Sequence, residues 1–222
     1  MSMREFIDQW GDILWEGAIQ TFQMTSISLI IAILIGIPLG VAVVLTRPGQ
    51  LLANRFFYQV LNIIINIVRS IPFIILLFFI IPFTKFIVGT TIGVEGIIVP
   101  LVLYTAPYIA RLMETALLEV DHGVIEAYKA MGMKRGQIIW HVLLREARPS
   151  IILGLTLATV SLIGATAMAG LVGGGGLGDI AYRYGFQQYE TPLMYVVVIL
   201  LILLVQILQT IGNKWSAHLK RD

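Results

Sequence analysis

Long apolar segments, separated by short polar loops, dominate the chain. Five of them approach or exceed the ~20 apolar residues that an α-helix needs to cross the hydrocarbon core of a bilayer. They cover roughly residues 21–45, 56–83, 97–118, 149–172 and 193–212. The pattern predicts an all-α, polytopic membrane protein with five transmembrane helices. Because few residues remain outside these spans, residues 1–222 are expected to form a single transmembrane domain.

A polar stretch at about residues 119–148 separates the third span from the fourth. Asp121 is a suitable helix N-cap, and Gly132 is suited to end the helix, because glycine adopts the left-handed conformation of a C-cap without strain. Between them, small or apolar residues recur on one helical face: Ala127, Ala130 and Met131. A second amphipathic stretch turns apolar side chains toward lipid or protein: Ile138, Ile139, Val142 and Leu143. The pattern predicts a short amphipathic helix, in either a solvated interfacial loop or a docking element.

The composition agrees with a membrane protein. Hydrophobic residues make up 58% of the chain, charged residues 13%, and the mean hydropathy is +0.88, which together exclude an ordinary soluble domain. The absence of cysteine excludes disulfide, thiolate and iron–sulfur chemistry, and the three histidines are too far apart in sequence for a recognisable metal site. No metal ligands are therefore expected.

The distribution of charge predicts the orientation in the membrane. Residues 111–148 hold 11 of the chain's 28 charged residues. Ten Lys/Arg lie in the loop after the first span, the 119–148 loop and the C-terminal tail, whereas the opposite side holds three, Arg4, Lys85 and Arg183. Positive residues in short loops favour the cytoplasmic side, so the 119–148 loop and the C-terminus are expected inside and the N-terminus outside. Residues 1–19 lack the pattern of a signal peptide, so the first span is expected to be retained.

Two sets of residues are candidates for a translocation pathway or gate. Arg69 is a charge well inside the second span, one and two turns after Asn66 and Asn62, and a charge at that depth faces protein, water or a partner group. Arg69 either has a structural role or lines a pathway, and Pro72 can break or bend its helix. In the fourth span a further set shares one helical face with Gly164, as a helix–helix seam or a pore lining: Ser161, Ala165 and Met168.

The missing motifs limit the mechanism. The chain has no P-loop, no Gly-x-Ser-x-Gly and no His-Glu-x-x-His string, so we expect neither nucleotide hydrolysis nor catalytic residues. Four of the five spans lack Asp and Glu, which argues against proton or sodium coupling. If the chain transports a solute uphill, ATP hydrolysed by a separate subunit is therefore the better source of energy. A membrane channel or scaffold without ATP coupling remains the alternative.

The polar stretch resembles a known motif. Glu126-Ala127, Gly132 five residues later, and then Leu143-Leu144 with a following proline resemble the cytoplasmic EAA loop of ABC-importer permeases. Tyr128 stands where a second alanine is common in that family. Other strings are similar to the permease subunits of methionine ABC importers: Arg69-Ser-Ile-Pro-Phe, Ala110-Arg-Leu-Met-Glu114 and Gly173-Gly-Gly-Gly-Leu-Gly-Asp179.

This resemblance implies a function and partners. It implies a permease subunit of an ATP-driven importer in the bacterial plasma membrane, with methionine, in the D- or L-form, and its derivatives as cargo. The implied partners are a second copy of the chain, two ABC ATPase subunits that use the ATP, and an external substrate-binding protein, with no nucleic acid and no cofactor bound by this chain. The residues implied to couple to the ATPase are Glu126, Ala127, Ala130, Met131 and Gly132. An osmolyte, a sulfonate or another amino acid remains an alternative cargo.

Overall fold

A computed structural model describes residues 3–220 of the chain, and within this range the secondary structure is helical, with no strand. The predicted all-α class is confirmed. Four helices are long and apolar enough to cross a membrane: α1 (Met3–Thr46), α5 (Gly93–Leu118), α9 (Arg148–Gly170) and α11 (Thr191–Leu219). At 44 residues, α1 is ~66 Å long from a rise of ~1.5 Å per residue, so the predicted first span and the described residues before it form one helix.

The predicted second span, 56–83, is not one helix. It is divided among α2 (Arg55–Ser70), α3 (Phe73–Phe79) and α4 (Ile81–Val88). Pro72 is the N-cap of α3, and the chain bends by 103° between α2 and α3. Proline has no amide hydrogen and disfavours helical geometry in the residue before it, which explains why α2 ends here. The described residues thus contain four candidate spans, or five if α2 and α3 count as one, and the exact number of crossings stays a prediction.

The remaining helices are short. They are α6 (His122–Ala130), α7 (Arg135–Gln137), α8 (Leu144–Glu146) and α10 (Gly176–Ile180). Two π-helical segments accompany them, Ile138–Leu143 between α7 and α8, and Ala181–Gln187 after α10.

The chain divides into two compact units. The first unit consists of Met1–Ile31, Ile71–Tyr104 and Thr159–Leu208. Its main core is made of buried apolar side chains from α1, α3, α5 and α9: Met24, Phe73, Leu77, Ile97, Leu101, Leu162, Ala165 and Ala169. A second cluster joins the start of α1 to α10 and α11: Trp10, Leu177, Ile180, Leu193 and Val197. Glycine allows close packing here, because a Cβ atom on Gly178 would overlap the backbone of Ala167.

The second unit consists of Ala32–Ser70, Thr105–Ala158 and Gln209–Asp222. Here α1 packs closely on α5 through Gly36 and Gly40, since a Cβ atom on Gly40 would overlap the carbonyl oxygen of Ala110. α1 continues as a helix through Pro38. Near the end of α11, the hydroxyl of Ser216 donates to the carbonyl oxygen of Pro149 at 2.8 Å, which joins α11 to the first turn of α9.

Candidate functional site

Local hydrogen bonds define both ends of α6. At the N-terminus, the Asp121 carboxylate accepts a hydrogen bond of 2.6 Å from the amide of Gly123. At the C-terminus, the amide of Gly132 donates to the carbonyl of Lys129 at 3.0 Å, and the amide of Met133 donates to the carbonyl of Tyr128 at 3.2 Å. This pair of bonds, with Gly132 at φ +80°, is a Schellman motif. The predicted helix, its N-cap and its terminating glycine are confirmed.

One face of α6 is buried, and the other residues of the helix are exposed or half-buried. Ile125 is the buried residue of the helix. The residues predicted to couple to the ATPase are all exposed in the single chain: Glu126, Ala127, Ala130, Met131 and Gly132. Two alanines leave room for close approach by another backbone, and the flexible Met131 side chain, 67% exposed, can adapt to a partner's surface. The arrangement suits a helix that docks against another protein.

The π-helical segment Ile138–Leu143 contacts α6 and holds it against the rest of the chain. Three apolar residues of the π-helical segment are buried, Ile138, Val142 and Leu143, while Ile139 is half-buried. The predicted amphipathic stretch is thus confirmed, although it forms a π-helix rather than a regular α-helix. Trp140 lies on the opposite side and is 72% exposed.

A polar cavity lies beside the start of α6. It has a volume of about 610 Å³ and is lined by charged residues of both signs: Glu119, Asp121, Arg145, Glu146, Arg148 and Lys220. Within it, the hydroxyl of Ser150 donates to the Glu119 carboxylate at 2.5 Å. This hydrogen bond joins the residue after α5 to the start of α9.

Arg69 is exposed in the last turn of α2, and its guanidinium carbon lies 5.8 Å from the centre of the Tyr108 ring on α5. This distance allows a cation–π contact. No carboxylate pairs with Arg69 among the residues that the structure describes. By their spacing along α2, Asn62 and Asn66 should lie near Arg69. In the structure, however, the side-chain oxygens of both asparagines accept hydrogen bonds from a different residue.

That residue is Arg111, which lies within α5. Its guanidinium donates to the side-chain oxygens of Asn62 and Asn66, each at 2.6 Å, and forms an ion pair with Glu114. Glu114 is 6% exposed. The signal that could have found this pair is the i, i+3 spacing of Arg111 and Glu114 within an apolar helix.

The candidate pathway residues of α9 have different surroundings. Ala165 is buried in the core of its unit at 3% exposure, which favours the helix–helix seam for this residue. The hydroxyl of Ser161 lies 3.4 Å from that of Tyr104, and Ser161 is half-buried. Met168 is 50% exposed. The shared helical face is therefore part seam and part open surface.

The glycine-rich loop before α10 is tightly turned. Gly173, Gly175 and Gly176 have φ angles near +80°. The amide of Gly176 donates to the side-chain oxygen of Gln20 at 2.7 Å, and that of Leu177 donates to the hydroxyl of Thr21 at 2.8 Å. The first amides of α10 are thereby occupied by side chains of α1.

Comparisons with known proteins agree with this description. The family described as "Binding-protein-dependent transport system inner membrane component" matches residues 32–220. The chain is 47% identical over 211 residues to the probable D-methionine transport system permease protein MetI of Vibrio cholerae, covering 93% of this chain and 94% of the relative. It is 45% identical over 169 residues to the methionine import system permease protein MetP of Bacillus subtilis, covering 76% of each.

Solved structures show the same fold. A chain of the inward-facing MetNI methionine ABC transporter superposes with a TM-score of 0.93 at 44% sequence identity, over 99% of both chains. An amino acid ABC transporter crystallised with histidines superposes with a TM-score of 0.80 at 15% identity, covering 98% of this chain and 99% of the other, which supports the fold alone.

Proposed function

Because the chain belongs to the family of binding-protein-dependent transport system inner membrane components, we propose that it is the permease subunit of an ATP-driven importer for methionine and related compounds. It is a multi-pass membrane protein and a transport component rather than an enzyme. The observation that carries the cargo assignment is the likeness to methionine permeases over nearly the whole chain. D-methionine, L-methionine and their derivatives are the cargo to test first.

The helix α6 is the element that couples the permease to an ATPase subunit. Its exposed face, which holds Glu126, Ala127, Ala130, Met131 and Gly132, seats in a groove of the ATPase. Support comes from the exposure of small side chains on a helix whose ends and opposite face are held by local contacts. Rigid attachment lets a displacement of α6 be transmitted to the spans that precede and follow it.

Two copies of the permease pair around a two-fold axis with two ATPase subunits, which use the ATP, while this chain binds no cofactor. ATP binding closes the ATPases and brings the two α6 helices together, which opens the permeases outward to accept cargo from an external binding protein. Hydrolysis returns the inward-open state. The Lys/Arg distribution supports a cytoplasmic C-terminus and α6, with the N-terminus outside.

The whole chain acts as one permease domain, with five spans if α2 and α3 are counted together. Arg69, Ser161 and Met168 face the translocation pathway, supported by the exposure of Arg69 and Met168 in the single chain. Ala165 contributes to the seam that holds α9 in place.

The test is uptake by proteoliposomes that contain the permease, its ATPase and its binding protein. We expect ATP-dependent accumulation of radiolabelled methionine, competed by selenomethionine and by one or both methionine enantiomers. Accumulation of an osmolyte or a sulfonate without methionine would overturn the cargo. Transport that continues with a hydrolysis-deficient ATPase would overturn the importer mechanism in favour of a channel.

A further inference from the structure

One edge of α2 is polar, although most of the helix is apolar. Asn62, Asn66 and Arg69 follow each other at helical spacing, and they contact Arg111 and Tyr108 of α5. Other positions of α2 expose large apolar side chains: Phe56, Phe57, Val60, Ile63, Ile64 and Ile67. The polar edge is thus a narrow stripe on a lipid-compatible helix.

Arg69 in this stripe and Arg111 on α5 differ in how their charge is satisfied. Arg111 is balanced by Glu114, and it bonds to Asn62 and Asn66. Arg69 rests over the face of Tyr108, a contact that uses none of the five N–H donors of a guanidinium. Within residues 3–220 no carboxylate pairs with it. The positive charge of Arg69 is therefore not neutralised, and its N–H donors are available to bind a ligand.

The position of Arg69 limits what can face it. It lies ~21 Å along the helix axis from the start of α2, from a rise of ~1.5 Å per residue, which is well within the predicted second span of α2 and α3. An exposed, unpaired charge at such a depth faces water or a partner group, because hydrocarbon cannot solvate it. The negative end of the α2 helix dipole stabilises the guanidinium while no ligand is bound.

We propose that Arg69 receives the carboxylate of the transported amino acid, with Tyr108 as the platform beneath its guanidinium. The planar fork of arginine matches the two oxygens of a carboxylate. Arg111 is a positioning residue, because its bonds to Asn62 and Asn66 hold α2 against α5 and so hold Arg69 at Tyr108. This inference rests on the proposed function, in which the cargo carries a carboxylate.

The absence of cysteine from the chain permits a charge-rescue experiment. In the reconstituted complex, R69C should lower methionine uptake roughly 10- to 100-fold, the range expected for loss of a hydrogen bond to a charged group. A thiol reagent that adds an aminoethyl cation should restore most of the uptake, whereas a neutral methyl or an anionic sulfonatoethyl reagent should not. Equal rescue by the neutral and cationic reagents, lack of any modification, or full activity of R69C would each overturn the proposal.

The matched control is R55C, at an exposed arginine at the start of the same helix. It should transport at the wild-type rate with and without each reagent. The complex with the unsubstituted permease, treated in parallel, accounts for thiols of the partner subunits. Substrate-independent ATPase activity of each complex reports whether the variant is assembled.

A second variant tests for the carboxylate itself. In Y108C, with Arg69 intact, methionine at about ten times its half-protecting concentration should slow thiol modification roughly tenfold. Methioninamide, which lacks the carboxylate, should protect much less, and the difference between the two should vanish in Y108C/R69Q. Equal protection by methionine and methioninamide would overturn the inference.

Failure of the cargo proposal would be seen in the wild-type complex instead, as uptake of another solute and not of methionine. The rescue and protection assays are then read with that solute. A cargo without a carboxylate would overturn the role of Arg69 as well. If the cargo were another amino acid, the charge-rescue and protection assays with that amino acid should give the results expected here for methionine.

Discussion

The guanidinium of Arg111 on α5 donates a hydrogen bond of 2.6 Å to the side-chain oxygen of Asn62 on α2. The same guanidinium bonds to Asn66 and pairs with the buried Glu114, so one charge pair and two amides join α2 to α5. Polar groups between helices hold them together in a membrane, where the hydrophobic effect does not.

Removal of Glu114 should destabilise the permease strongly. E114Q leaves the charge of Arg111 without its partner at a mostly buried site, and breaking such a pair costs about 3 kcal/mol. We expect a clearly lower unfolding temperature for the detergent-purified protein. The double variant R111Q/E114Q should recover part of the loss, because no uncompensated charge remains. If the double variant were as unstable as the sum of its single variants, the two residues would not act as a pair.

A large side chain on the open face of α6 should prevent ATPase docking. Ala127 is exposed, so A127W can be accommodated in the isolated permease while it obstructs a closely fitting partner. We expect co-purification with the ATPase to fall by about tenfold or more, the effect of losing ~1.4 kcal/mol of binding. Uptake should fall with it, and the unfolding temperature of the permease alone should not change.

The control is K129W on the same helix. Lys129 is also exposed but lies two positions further on, on about the opposite side of α6. It should retain ATPase binding. Equal binding by A127W and the unsubstituted permease would show that the exposed alanine face is not the docking surface.

Replacement of Gly132 should distort the end of α6. Its φ of +80° is unfavourable for residues with a Cβ atom, by about 1–2 kcal/mol, so G132A strains the Schellman motif. We expect lower methionine uptake per ATPase bound, together with faster proteolysis of the 119–148 loop. G136A is the control, because Gly136 lies in α7 with open space around it, and alanine favours a helix. An uptake rate for G132A equal to that of G136A would contradict this role.

Close packing of α1 on α5 should require glycine at position 40. In G40A the new methyl group overlaps the Ala110 carbonyl and the Met113 side chain, and overpacking of this kind costs about 1–3 kcal/mol. We expect a lower unfolding temperature and less monodisperse protein after mild heating. Gly164, which has open space around it, provides the comparison, so G164A should behave like the unsubstituted chain. Similar melting of the two variants would exclude a packing role for Gly40.

The sequence by itself predicted the features that depend on neighbours along the chain. Apolar segment length indicated membrane helices, and Asp121 and Gly132 marked the ends of α6, because capping is a local interaction between residues a few positions apart. Pro72 predicted the break after α2 for the same reason, since its missing amide and fixed φ act on its own helix.

Only the tertiary structure decided which helical faces meet. Spacing placed Asn62 and Asn66 beside Arg69, yet both amides bond to Arg111, a residue 45 and more positions away along the chain. Spacing also grouped Ala165 with Met168, but packing buries the first and exposes the second. Helical periodicity determines which side chains share a face of one helix, whereas their partners depend on how the helices approach one another, and that is a property of the folded chain.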